Sequence, residues 1–321
     1  MRSLSDYQNI FQSYLSQHAF NQEPQELYEP VNYILSLGGK RLRPLLALMG
    51  YELFDEDISK ALPIAAAVEI FHNFTLLHDD IMDQAPLRRG KPTVHAKYGI
   101  NTGILSGDVM VIFAYEFLNK IPHPKLLSIF NKMAIEVCEG QQYDMNFETR
   151  NDVTISEYIR MIELKTSVLI AAAFQMGALA GGATEEVAQH LYEFGRNVGI
   201  AFQIQDDILD TFGDPEKFGK KVGGDIVQNK KTYLVLKSYE LGNPEQTDAL
   251  HQLMNTPTTD EALKITNVKN IYNQLKIREL AEKVMDDYLN IAFKNIDDTP
   301  LSIEKKNYLK TWANELMMRE V

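Results

Sequence analysis

Two runs of one pattern stand far apart on the chain: His78-Asp79-Asp80-Ile81-Met82-Asp83 and Gln205-Asp206-Asp207-Ile208-Leu209-Asp210. Each reads Asp-Asp-x-x-Asp inside an apolar, helix-forming run. Side chains three and four apart share a helix face, so Asp79 and Asp83 project together with Asp80 beside them. The same holds for Asp206, Asp210 and Asp207. Carboxylates crowded this way repel unless a cation neutralises them. Hard oxygen donors suit Mg²⁺, which keeps several waters and completes its shell with substrate phosphates. One such motif alone is more often a solvated helix face. Two, each followed by a basic loop, make a metal site the better reading. The chain carries its own control at Met285-Asp286-Asp287-Tyr288, which has neither a third acid at the right spacing nor a basic loop and reads as surface.

Basic residues gather in four places. Gly38-Gly39-Lys40-Arg41-Leu42-Arg43-Pro44 sits at an expected helix start, where glycines allow close backbone approach and the N-terminus favours anions. Arg88-Arg89-Gly90-Lys91-Pro92 follows the first acidic cluster. Phe218-Gly219-Lys220-Lys221-Val222-Gly223-Gly224-Asp225 follows the second, and Asn229-Lys230-Lys231-Thr232 comes soon after. Arginine offers phosphate a planar fork and lysine a point charge. The recurring unit is acid cluster, short turn, basic loop. It suits a diphosphate bridged by Mg²⁺ and held from both sides.

The elements that must position these groups are helices. Apolar residues recur with helical period along most of the chain, and strand alternation hardly appears. Expected helices include 41–54, 60–84, 101–120, 124–148, 155–180, 185–211, 259–264 and 268–295, with breaks at glycine and proline. Helices 60–84 and 155–211 are apolar nearly all round, so they belong at the centre of a large domain. The expected fold is all-α: a single-domain helical bundle spanning 1–321, with the acidic helices facing each other across a central cavity. Hydrophobic residues make up 45% of the chain, enough for a sizeable core. A net charge of −12 argues against nucleic-acid binding. The lone Cys138 excludes an internal disulfide, fits a reducing compartment and reads as a buried thiol. The N-terminal stretch lacks the apolar core of a signal peptide, and the apolar run 168–183 is short for a transmembrane segment. A cytoplasmic protein is expected.

This constellation resembles the trans-isoprenyl diphosphate synthase (polyprenyl synthetase) family, the head-to-tail prenyl chain elongases, from about Gly38 to Thr232. The resemblance implies an all-α bundle around a deep cavity, usually a homodimer, that joins isopentenyl diphosphate to an allylic diphosphate with Mg²⁺. It implies that Asp79, Asp80, Asp83, Asp206, Asp207 and Asp210 bind the metal, with Asp79, Asp83 and Asp206 the direct ligands. Lys40, Arg43, His72 and Arg89 match the residues that hold isopentenyl diphosphate. Arg88, Lys230 and one of Lys220 or Lys221 match the allylic diphosphate contacts. Lys165, Thr166 and Gln203 match groups near the allylic carbon, where their dipoles steady the carbocation. His78 and His95 read as structural.

Product length is set where a growing tail meets a bulky floor. Phe71 and Thr75 lie on roughly the stripe of Asp79, and Phe74, five residues back, lies off to one side of it. In the family a large aromatic at the Phe74 position limits length, and the surrounding stretch resembles short-chain synthases. A C20 product is favoured over C15. A class I terpene cyclase is disfavoured by the intact second cluster and the Gly38–Arg43 motif. A head-to-head condensing enzyme is a weaker alternative still. A non-catalytic partner subunit tends to lose one cluster, and this chain keeps both.

Overall fold

The computed structural model describes residues 1–214, 222–255 and 260–318. They form an all-α bundle: α1 (Leu4–Ser16), α2 (Gln25–Ser36), α3 (Leu42–Glu52), α4 (Leu62–Met82), α5 (Val94–Tyr98), α6 (Ile100–Leu118), α7 (Leu126–Thr149), α8 (Ile155–Ile162), α9 (Val168–Ala180), α10 (Glu185–Phe212), α11 (Gly224–Val227), α12 (Tyr233–Leu241), α13 (Pro244–Asn255), α14 (Glu261–Gln274), α15 (Ile277–Asp297) and α16 (Ile303–Met317). Several starts are fixed locally. Ser3 with Asp6 and Thr154 with Glu157 each close a capping box, satisfying orphan N–H groups in both directions. Between α4 and α5 the chain makes a small hairpin, β1 (Leu87–Arg88) against β2 (Lys91–Pro92). Arg89 and Gly90 at its tip are both left-handed (φ 54° and 72°), as a type I′ turn requires.

Three boundaries differ from expectation. The segments 259–264 and 268–295 re-divide into α14 and α15, broken at Lys276, which is left-handed with φ 54° and carries no glycine or proline signal. The expected helix 155–180 runs on, but through a π-helical turn at Glu163–Ser167 between α8 and α9. The short helix α5 precedes the expected 101–120. Cys138 is exposed on α7 rather than buried, because it lies off that helix's packed stripe of Phe130, Met133 and Val137.

The chain groups into two compact units, 1–132 with 172–191 and 133–171 with 192–321. In the first, α4 is buried from Leu62 to Phe71 almost without interruption. It packs on α6 because small residues there make room: a Cβ on Gly107 would run into the His78 ring, and one on Gly103 would come within 3.0 Å of Ile81. Likewise, Cβ atoms on Gly50 and Gly177 would meet the backbone at Phe174 and Ala47, which brings α3 and α9 to backbone contact. The second unit has its own core, with Tyr158, Ile204, Tyr233, Leu250, Val268, Tyr272 and Ala281 among its buried members. The stretches Ile58–Met82 and Ile155–Ala180 are long and apolar enough to cross a membrane, but 67% and 78% of their most apolar windows are buried within the protein, as core helices are.

Candidate active site

In the first unit, the C-terminal turn of α4 carries Asp79 and Asp80, and Asp83 caps the helix. The three carboxylates are not equivalent. Asp80 is buried and takes a two-pronged hydrogen bond from Arg88, whose Nε and Nη2 each donate across 2.8 Å. Asp79 is half-buried and Asp83 exposed. The hairpin thus returns Arg88 to the cluster it follows in sequence, and the fork geometry fixes both partners.

One helical turn below Thr75, His72 marks a cationic pocket. Arg43 lies 3.1 Å from His72 Nε2. Burial, then the charges of Arg43, Arg89, Arg88 and Arg41, hold His72 well below its ordinary value of 6.5. The ring is therefore neutral and Nε2 accepts from Arg43. Arg89 donates to the Gly38 carbonyl, and its guanidinium fills the space a Cβ on Gly39 would take, 2.7–2.8 Å away. Lys40 is exposed at the loop's edge. Arg41, left-handed with φ 48°, turns inward: it pairs with buried Glu69 and donates to Leu35 O. Asn73 Nδ2 donates to Glu69 Oε1 at 2.7 Å.

His72 makes stability pH-dependent in a defined window. Its folded pKa is depressed, so below about 6.5 the unfolded chain binds a proton that the folded chain refuses. That contribution is present above 6.5 and is lost as pH falls toward the folded value. We expect urea midpoints to fall from pH 7 to pH 5, with a shallower slope in His72→Asn. Equal slopes in the two proteins would contradict a neutral His72.

In the second unit, α10 carries Asp206, Asp207 and Asp210, and again the middle acid is occupied. Asp207 is buried, accepts from Tyr158 OH, and takes a 3.4 Å hydrogen bond from Gln203 Nε2. Burial pushes its carboxyl well up, the charge of Asp225 adds to that, and the hydrogen bonds from Tyr158 and Gln203 oppose it. Gln203 Oε1 in turn accepts from Thr166 Oγ1 at 3.2 Å. Asp206 and Asp210 are half-buried. Asp210 accepts the Asp225 N–H at 2.9 Å, and Lys230 stands 3.8 Å from Asp225. Lys165 and Thr166 sit in the π-helical turn and Lys165 pairs with Asp144. Such turns widen a helix and recur at functional sites. Lys220 and Lys221 lie outside the described residues.

Phe74 is half-buried beside the His78 ring at 4.7 Å and Phe71 at 5.5 Å, and Phe71 meets Phe130 edge-on at 5.3 Å. Thr75 donates to His72 O at 2.8 Å. His78 packs against α6, with Nε2 3.3 Å from Ile104 O, and His95 lies 3.2 Å from Thr93 Oγ1. In the control sequence, Asp286 and Asp287 are exposed on α15. Among the described residues no three His, Cys, Asp or Glu side chains converge tightly enough to hold a metal by themselves. Sequence reading missed Glu69, Asn73, Asp144 and Tyr158. Asp144 carries a faint signal, a polar Gly140-Gln141-x-x-Asp144 patch on α7, whereas nothing in the sequence around Tyr158 marks it.

An all-α fold carrying two Asp-Asp-x-x-Asp helices and a cluster of arginines around His72 is the pattern of enzymes that handle isoprenoid diphosphates. The polyprenyl synthetase model matches residues 24–275, and the chain belongs to that family. It is 47% identical over 224 residues to a geranylgeranyl diphosphate synthase of Methanosarcina mazei, covering 68% of this chain and 69% of that one. It is 38% identical over 307 residues to a geranylgeranyl pyrophosphate synthase of Geoglobus acetivorans, covering 93% and 92%. A crystal structure of a geranylgeranyl pyrophosphate synthase superposes over 100% of both chains with a TM-score of 0.95 at 46% identity. The protein is a trans-prenyltransferase that condenses isoprenoid diphosphates.

Proposed function

We propose that this enzyme joins isopentenyl diphosphate head-to-tail to dimethylallyl, geranyl or farnesyl diphosphate, with C20 geranylgeranyl diphosphate favoured over the C15 product. The observation that carries this is the cationic pocket around neutral His72, on the same helix as the Asp79–Asp83 cluster. Lys40, Arg43, His72 and Arg89 hold isopentenyl diphosphate. Arg88, Lys230 and one of Lys220 or Lys221 hold the allylic diphosphate.

The donor set fits Mg²⁺. It is all hard oxygen, and Mg²⁺ needs only one or two carboxylates alongside waters and substrate phosphates. Asp79, Asp83 and Asp206 are the direct ligands, each half-buried or exposed. Asp80 and Asp207, buried and engaged by Arg88 and Tyr158, hold each cluster in shape. Held there, Mg²⁺ would supply the positive charge that favours departure of the diphosphate. The Thr166 hydroxyl, the Lys165 carbonyl and the Gln203 amide present oxygen dipoles to the allylic cation. The isopentenyl double bond attacks that cation, and the proton then lost goes to the released diphosphate.

The aromatic column of Phe74, Phe71 and Phe130 supports a floor below the first cluster. Phe74→Ala is expected to shift products at least one five-carbon unit longer by chromatography, and an unchanged profile would place the floor elsewhere. A cytoplasmic homodimer completes the proposal: α6 leaves Ile104, Leu105 and Ile112 exposed, an apolar face suited to a second copy. Incubation with Mg²⁺, isopentenyl diphosphate and each allylic primer tests the whole. No elongated product with any primer would overturn it.

A further inference from the structure

The loop that carries Lys40 and Arg43 has an unusual backbone. Gly38 and Gly39 have φ of 77° and 120°, and Arg41, the residue just before α3, has φ of 48°. Glycine takes such angles without strain, but an arginine does not. Asparagine would fit position 41 better on backbone grounds alone. What sets Arg41 there is its side chain, which is buried and spans three helices. One guanidinium nitrogen pairs with Glu69 on α4. Another donates to the Leu35 carbonyl in the last turn of α2, an acceptor that the helix itself leaves unsatisfied. The backbone of the same residue starts α3, whose first turn bears Arg43.

Glu69 is held in turn. Asn73 donates to its Oε1 at 2.7 Å and to its backbone carbonyl at 2.8 Å. Its Oε2 and Asn73 Oδ1 are buried without hydrogen-bond partners. A buried carboxylate with one oxygen unsatisfied is costly, so its retention needs a compensating role. The charge of Glu69 is also felt by Arg89, which grips the loop from the other side at Gly38 O.

We infer that Arg41 and Glu69 form a buried clamp that positions the Lys40–Arg43 loop and so sets the pocket's affinity for a diphosphate. They are positioning residues and do not touch the ligand. The inference rests on the pocket's assignment to isopentenyl diphosphate above. Two effects compete when Glu69 loses its charge. The pocket becomes more positive, which favours an anion. The clamp opens, because Arg41 is left charged and unpaired in an apolar setting and must leave it. Leaving pulls the start of α3, and Arg43 with it, out of register with His72. The clamp predicts that the second effect wins.

The test is calorimetric titration with inorganic diphosphate in EDTA, which removes metal-dependent binding at the aspartate clusters and leaves binding by the cationic groups, the His72 pocket among them. Glu69→Gln is expected to bind about tenfold or more weakly than wild type, the scale of a small misplacement. The double variant Arg41→Gln/Glu69→Gln keeps the net charge and is expected to stay equally weak. Arg41→Asn suits the left-handed backbone but leaves buried Glu69 unpaired, so it is expected to bind weakly and to melt at a lower temperature than the double variant. In steady state the KM for isopentenyl diphosphate rises in each, with kcat and the allylic KM within about twofold. Tighter or unchanged diphosphate binding in Glu69→Gln, or recovery in the double variant, would overturn the clamp in favour of simple charge balance. Wild type that elongates no primer, yet shows these binding ratios, would sink the proposed function and leave the clamp. Active wild type with unchanged KM in the variants would do the reverse.

Discussion

Alanine at Asp79 or at Asp206 is expected to lower turnover by about 10³-fold or more, roughly 4 kcal/mol of lost transition-state stabilisation. The thermal midpoint moves little, because neither carboxylate is fully buried. The loss is large because a departing diphosphate develops charge that nothing else at these positions neutralises. The contrast with the middle acids is the sharper part of the expectation. Asp80→Ala strands the Arg88 fork, and Asp207→Ala strands Tyr158 and Gln203, so both variants also lose stability. Single-turnover rates and melting curves on the four variants separate the two behaviours. Full activity in Asp79→Ala or Asp206→Ala would remove the metal role from that residue.

Gly140→Ala damages both stability and rate. A Cβ there would lie 2.7 Å from the Lys165 Cα and the Leu164 carbonyl carbon, which are backbone atoms and cannot swing aside. The expected cost is about 3 kcal/mol, the upper end for overpacking a tight core. The strain falls on the π-helical turn that carries Lys165 and Thr166. Moving that turn by a fraction of an ångström disturbs the Thr166–Gln203 hydrogen bond and the Lys165–Asp144 pair together. A fall in kcat of about 10²-fold is expected, with the isopentenyl diphosphate KM little changed. Denaturant midpoints and steady-state kinetics check it. An alanine variant with wild-type kcat would mean that the turn's geometry is not critical.

Local order was readable where it depends on neighbours along the chain. The course of α4 and α10 follows from apolar periodicity, and their acidic ends follow from spacing alone. Breaks with a glycine or proline were visible. The break at Lys276 was not, because a lysine in a left-handed turn carries no compositional mark. The π-helical turn was equally silent, since one extra residue in a turn leaves no compositional mark. Cys138 was misjudged because a thiol amid apolar neighbours reads as core, and only the helix's rotation shows which side it takes.

By itself the sequence determined the class of chemistry. Repeated carboxylate triplets and basic loops are short-range patterns, and helix geometry turns them into candidate ligand sets without reference to the rest of the fold. It could not rank the members of each triplet. Asp79, Asp80 and Asp83 look alike on paper. Tertiary structure buries Asp80 under Arg88, buries Asp207 under Tyr158, and turns Arg41 away from the pocket toward Glu69. Those assignments join residues distant in the chain, and burial makes their partners obligatory, because an unpaired charge in an apolar interior costs too much to persist.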